Sequence, residues 1–241
     1  MKRTFLIAMI LWNLLSGQPA DAADWANKER YAQANRELMS GGHDSLRVVL
    51  MGNSITEYWF ELHPEFFNSN HLVGRGISGQ VSSQMLARFR QDVIYLEPRI
   101  VVINCGTNDI AENNGPYDED ITMDNIKSMT ELAQSHGIKV VLTSVLPTDG
   151  FIWNPNVTDV VAKIHRLNQR IIDYCDTHHI TYLNYYPHMT IDNASLNKDL
   201  TDDGVHPNSA GYDVMEVGLL DVLHQLNQQN QDTHYYKQTL F

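Results

Sequence analysis

Ile100-Val101-Val102-Ile103-Asn104-Cys105 is a nearly continuous apolar run with no polar alternation, and its reading decides the fold. It is too short for a globular helix and rich in β-branched residues, so it predicts a strand covered on both faces. Arg47 to Met51, Leu72-Val73, Ile138 to Thr143 and Thr181 to Leu183 read as further strands around it. Helical patterns fill the gaps: Asp24 to Met39, closed by Gly41-Gly42, then Val81 to Ile94, Asp120 to His136, Val157 to His178 and Ser209 to Leu226. Within Val157 to His178, Val160, Ile164, Leu167, Ile171 and Cys175 recur at helical spacing and form one apolar stripe. Doubly buried strands separated by amphipathic helices predict an α/β fold, a three-layer α/β/α sandwich with a mainly parallel central sheet.

The first residues read as a secretion signal over residues 1–22. Lys2 and Arg3 precede an apolar run from Phe5 to Leu15, and Ala20-Asp21-Ala22 supplies a small-x-small cleavage site. The chain is therefore expected to be exported, periplasmic or extracellular. The apolar run is short for a membrane span, and no later segment reaches the required length. Residues 23–226 read as a single domain and residues 227–241 as a peripheral tail. Loss of Lys2, Arg3 and Asp21 with the leader moves the formal charge from −12 to −13, which argues against binding to a nucleic-acid backbone. Cys105 and Cys175 both lie on apolar patterns and read as small buried residues. Pairing between them is open, because geometry decides it. His43, His63, His71, His165, His178 and His179 are scattered without a convergent ligand set, so no metal or other cofactor is expected. The pattern carries no reading of the oligomeric state.

Two stretches carry chemistry. Thr201-Asp202-Asp203-Gly204-Val205-His206-Pro207 sets a carboxylate and an imidazole three residues apart, and Met51-Gly52-Asn53-Ser54-Ile55-Thr56 places a serine just after the first strand. A carboxylate that holds one imidazole nitrogen leaves the other free to take the proton of a serine hydroxyl. Taken alone, the first stretch reads equally as a polar turn before a helix. Its partners add weight: Ser54, Gly76 and Asn108 follow successive strands, and Asp203 and His206 precede the last helix. In open parallel sheets, sites form at the C-terminal ends of the strands.

Gly52-Asn53-Ser54-Ile55, Arg75-Gly76-Ile77-Ser78-Gly79-Gln80, Gly106-Thr107-Asn108-Asp109 and Asp203-Gly204-Val205-His206-Pro207-Asn208 together resemble, in order and spacing, the four signature blocks of the SGNH, or GDSL, hydrolase family. Gly74-Arg75-Gly76-Ile77-Ser78-Gly79-Gln80 and Ser144-Val145-Leu146-Pro147 are similar to the branch of platelet-activating-factor acetylhydrolases and bacterial carbohydrate acetylesterases. The resemblance implies Ser54 as nucleophile, His206 as base and Asp203 as its partner. It also implies an oxyanion hole made by the backbone N–H groups of Ser54 and Gly76 with the Asn108 side-chain amide. The implied activity is hydrolysis of a small-molecule or glycan ester through an acyl-enzyme, with O-acetyl groups on carbohydrates preferred. A lysophospholipase or thioesterase-like acyl hydrolase and a non-catalytic extracellular glycan-binding domain are the alternatives. The family pattern has aspartate where this chain has Asn53. Asp109 reads as a structural hydrogen-bonding residue, and Tyr58, Trp59, Phe151 and Trp153 as aromatic walls.

Overall fold

The computed structural model describes residues 24–239. Five strands, β1 (Val48–Gly52), β2 (Leu72–Gly76), β3 (Ile100–Ile103), β4 (Lys139–Thr143) and β5 (Thr181–Leu183), form one sheet in the order β2-β1-β3-β4-β5. Every pairing is parallel. The helices are α1 (Ala32–Ser40), α2 (Ser54–Leu62), α3 (Pro64–Ser69), α4 (Ser82–Asp92), α5 (Thr107–Ile110), α6 (Glu119–Ser135), α7 (Val160–His178), α8 (Tyr186–Met189) and α9 (Ser209–Thr239).

Strand alternation explains the lack of polar positions in the sequence. Val49, Met51, Val101, Ile103, Val140 and Leu142 point into one core with α4, α6 and α7, where Met85, Phe89, Met123, Met129, Ile164, Leu167 and Ile171 meet them. Val48, Leu50, Ile100, Val102, Val141 and Leu183 point into the other, against Ile55 and Trp59 of α2, Phe67 of α3, and Tyr212, Met215, Leu219 and Leu223 of α9. The two cores make the three layers, and burial of these side chains is the main stabilising contribution.

Four helices, α2, α3, α5 and α8, are absent from the helical patterns read in the sequence, and the elements that were read differ mainly at their ends. The stretch predicted as one helix from Asp24 is interrupted at Asn27, which takes a left-handed φ of 50°, and a 3-10 turn (Lys28–Tyr31) then leads into α1 at Ala32. Helix α7 starts at Val160, after Asp159 at φ 56°. Helix α9 runs on past Leu226, the last buried apolar residue among the side chains described, to Thr239. No Gly or Pro follows Leu226 to stop it, so the Gln-rich stretch continues the helix. The predicted leader, residues 1–22, lies outside the described residues. Among the described residues no helix is long and apolar enough to cross a membrane.

Candidate active site

Strand β1 ends at Gly52, and the chain turns through Asn53 directly into α2, so Ser54 occupies the first position of a helix. The Asn53 side-chain oxygen accepts the Ile55 N–H at 3.0 Å, and its carbonyl accepts those of Thr56 and Glu57. An amide oxygen thus performs the capping that a carboxylate offers, which explains how asparagine serves where the family pattern has aspartate. The Ser54 N–H makes no hydrogen bond among the described residues and sits at the positive end of the helix.

The loop before α9 brings the imidazole to this serine across 152 residues of chain: Ser54 Oγ lies 2.8 Å from His206 Nε2. On the far side of the ring, Nδ1 lies 2.6 Å from Asp203 Oδ2. The other carboxylate oxygen accepts the backbone N–H groups of Val205 at 2.9 Å and His206 at 2.8 Å. The Thr201 hydroxyl donates to the His206 carbonyl at 2.7 Å, and Thr201 bridges to Pro207, closing the loop. A carboxylate can only accept, so Nδ1 carries the proton and Nε2 faces Ser54 as an acceptor. Burial pushes the Asp203 carboxyl upward, but the imidazole, the two N–H groups and the histidine charge outweigh it, and its pKa lies below the ordinary value. The carboxylate form is therefore secured at neutral pH. Its contribution to stability is present above the ordinary carboxylate pKa and lost as pH falls through the lowered one.

Asn108, on the single turn of α5 after β3, is buried, and its Nδ2 donates to the Gln80 carbonyl at 3.0 Å. Asp109 beside it does not face His206. Its carboxylate accepts the Ser82 N–H at 3.0 Å and the Ser82 hydroxyl at 2.5 Å, tying α5 to the start of α4. Beneath, the wholly buried Arg88 donates to the carbonyls of Gly52 and Arg75, both at 2.9 Å, to Gln80 Oε1 at 2.6 Å and to Asp92 at 2.8 Å. One guanidinium therefore joins the end of the nucleophile's strand to the turn that Asn108 touches. Nothing in the local sequence pattern marks Arg88 for this.

Gly76 does not fit the donor role read for it. The Ile77 N–H donates inward to the Gly52 carbonyl, whereas the Gly76 carbonyl accepts the Tyr31 hydroxyl at the open edge of the sheet. A strand residue directs its N–H and C=O to the same side, so the Gly76 amide points away from β1 and from Ser54. Glycine is needed here for close approach instead: a Cβ would lie 2.2 Å from the Glu57 nitrogen and 2.6 Å from the Asn53 carbonyl oxygen. Gly79 is the better placed amide. It sits at φ 77° in the Ile77–Gln80 turn beside Asn108, and its N–H makes no hydrogen bond among the described residues. Alanine at 76 is expected to destabilise by about 2–3 kcal/mol, since backbone must yield. Alanine at 79 meets nothing within 4 Å and is expected to cost only about 1–2 kcal/mol of left-handed backbone strain. Thermal unfolding of the two variants checks the order, and a greater loss for Gly79→Ala would contradict it.

Tyr58 and Trp153 flank the histidine, with ring centroids 5.2 and 6.1 Å from that of His206, and stand 37% and 42% exposed. Phe151 packs against Trp153 at 5.3 Å but is buried, and Trp59 is buried between Phe66 and Tyr212. Two of the four aromatic residues read as walls are thus core. His63 is drawn close to Asp213 and Glu216, but both of its ring nitrogens are engaged, Nδ1 with Glu216 and Nε2 with Ser209, each at 2.6 Å. Cys105 and Cys175 are buried free thiols, and burial, with a smaller effect of Asp176, pushes Cys175 up to about 12.

The sequence profile described as the GDSL-like Lipase/Acylhydrolase family matches residues 50–214. A candidate acylhydrolase from Bacteroides fragilis is 52% identical, with a TM-score of 0.82 over 84% of this chain and 98% of that one. A GDSL-like lipase from Bacteroides thetaiotaomicron is 49% identical, with a TM-score of 0.81 over 83% of this chain and 98% of that one. A multidomain esterase of Ruminococcus flavefaciens is 30% identical over 118 residues, 49% of this chain and only 14% of that protein.

Proposed function

The chain belongs to the GDSL-like lipase/acylhydrolase family, a family of carboxylic ester hydrolases, and on that premise we propose that it is an exported serine esterase removing short acyl groups, acetyl above all, from carbohydrates. The observation that carries this reading is the unbroken line from Ser54 Oγ through the imidazole to the Asp203 carboxylate, at 2.8 and 2.6 Å.

In the first step Ser54 Oγ attacks the ester carbonyl carbon while its proton passes to His206 Nε2, and Asp203 stabilises the imidazolium. Negative charge develops on the former carbonyl oxygen, and the Ser54 and Gly79 N–H groups with the second N–H of the Asn108 amide are the donors assigned to it. Donors placed where charge appears lower the barrier more than they tighten substrate binding. The bond to the leaving alcohol then breaks, and His206 returns the proton to that oxygen. Water attacks the acyl-enzyme, giving its proton to His206, and the Ser54 hydroxyl is restored as the carboxylic acid departs.

His206 protonates the leaving group, so the alcohol must lie beside the imidazole, where Tyr58 and Trp153 present aromatic faces. Such faces suit the C–H face of a sugar ring. The likeness to a multidomain esterase supports ester hydrolysis, and the Lys2 to Ala22 leader pattern supports a site of action outside the cytoplasm. A panel of acetylated sugars, short- and long-chain esters, lysophospholipids and acyl thioesters tests this. Acetate release from the sugars with little long-chain activity is expected. Preference for lysophospholipid or thioester would overturn the substrate, and no hydrolysis of any ester would favour a glycan-binding role.

A further inference from the structure

Trp153 is more than a wall. Its indole N–H donates to Asn113 Oδ1 at 2.8 Å, and Asn113 Nδ2 donates in turn to Asn108 Oδ1 at 3.0 Å. The contact is reinforced on both sides: the Asn113 N–H donates to the Asn108 carbonyl at 3.1 Å, and Asn154 Nδ2 donates to the Ala111 carbonyl at 3.0 Å. The aromatic loop is thus clamped onto the segment that carries the oxyanion amide.

The direction of this chain follows from donor chemistry. An indole N–H can only donate, so the end of Asn113 facing Trp153 must be its oxygen. The NH2 of Asn113 therefore faces Asn108, and the Asn108 atom that receives it must be Oδ1. That leaves Asn108 Nδ2 directed at the Gln80 carbonyl, with one N–H for the reaction. A reversed Asn108 amide would place an acceptor beside the developing oxyanion, which repels charge instead of stabilising it.

We propose that Asn113 is a positioning residue that transmits the placement of Trp153 to Asn108, so that the residue forming the leaving-group platform also holds, together with the Gln80 carbonyl, the placement of the oxyanion amide. The proposal rests on the esterase reading above. The relay is made by the protein's own residues, so its loss is expected to slow sugar esters and aryl esters alike.

The test is a double-mutant cycle with Asn113→Ala and Trp153→Phe, measured on an acetylated monosaccharide and on 4-nitrophenyl acetate. Asn113 is exposed, so the fold should tolerate its loss, with an unchanged Tm as control. Asn113→Ala is expected to lower kcat roughly tenfold on both substrates, with KM within about twofold. Trp153→Phe keeps a ring but loses the N–H, so kcat should fall less while KM for the sugar ester is retained. The double variant should be no slower than Asn113→Ala alone, because both changes break one relay. Multiplicative losses, or wild-type kcat in Asn113→Ala, would overturn the proposal. Ser54→Ala run alongside separates the causes: acetate release that survives it removes the esterase reading, whereas Ser54-dependent release with an indifferent Asn113 removes the relay alone.

Discussion

Ser54→Ala is expected to lower kcat for acetyl-ester hydrolysis by on the order of 10⁶-fold, with Tm close to that of the parent. The loss is large because no other group takes over. His206 Nε2 is aimed at Ser54 Oγ, and without that oxygen the imidazole has only water to activate. The amide donors remain, since the Asn53 cap and the start of α2 do not use the hydroxyl, so a small residual rate over uncatalysed hydrolysis is expected. The fold should tolerate the change for the same reason: among the described residues Ser54 caps nothing, and its side-chain hydrogen bond is the one to His206. Steady-state kinetics with differential scanning calorimetry checks both halves.

Asp203→Asn is expected to cost on the order of 10⁴-fold in kcat, again with little loss of stability. The asparagine oxygen can still accept the N–H groups of Val205 and His206, so the loop keeps its shape. The NH2 then replaces the oxygen facing Nδ1 and presents a donor to the ring. The imidazole is driven to the tautomer with its proton on Nε2, where it can no longer accept from Ser54. The variant also loses the charge that stabilises the imidazolium. A thousandfold or greater drop with a native melting profile supports this account, and activity within tenfold of the parent would show that another group supports the base.

Much of this was legible before the structure, and what was not has physical causes. The five strands stand out because parallel strands covered by helices have no polar face. Ser54, Asn108, Asp203 and His206 are legible because each follows or precedes such an element, and the structure joins Ser54, His206 and Asp203 in one line, with Asn108 linked to the histidine's flank through Asn113 and Trp153. The second oxyanion amide was misread because Gly76 and Gly79 share one motif. Only the pairing of β2 with β1 shows which N–H groups face outward from the sheet edge. Trp59 carried a signal that was passed over: Ile55 and Trp59 are four apart, which places both on the buried face of α2 and leaves Tyr58 outside. Arg88 and Asn113 act through contacts distant in sequence, 36 residues to Gly52 and 40 to Trp153, and no local pattern encodes those.

The most direct test of the central claim is peptide mapping by mass spectrometry after treatment with a fluorophosphonate, which captures a serine only where a base and oxyanion donors surround it. A single adduct on the peptide bearing Ser54, absent from His206→Ala, is the predicted result. An adduct on any other residue, or ester hydrolysis that persists with Ser54 unmodified, would contradict it.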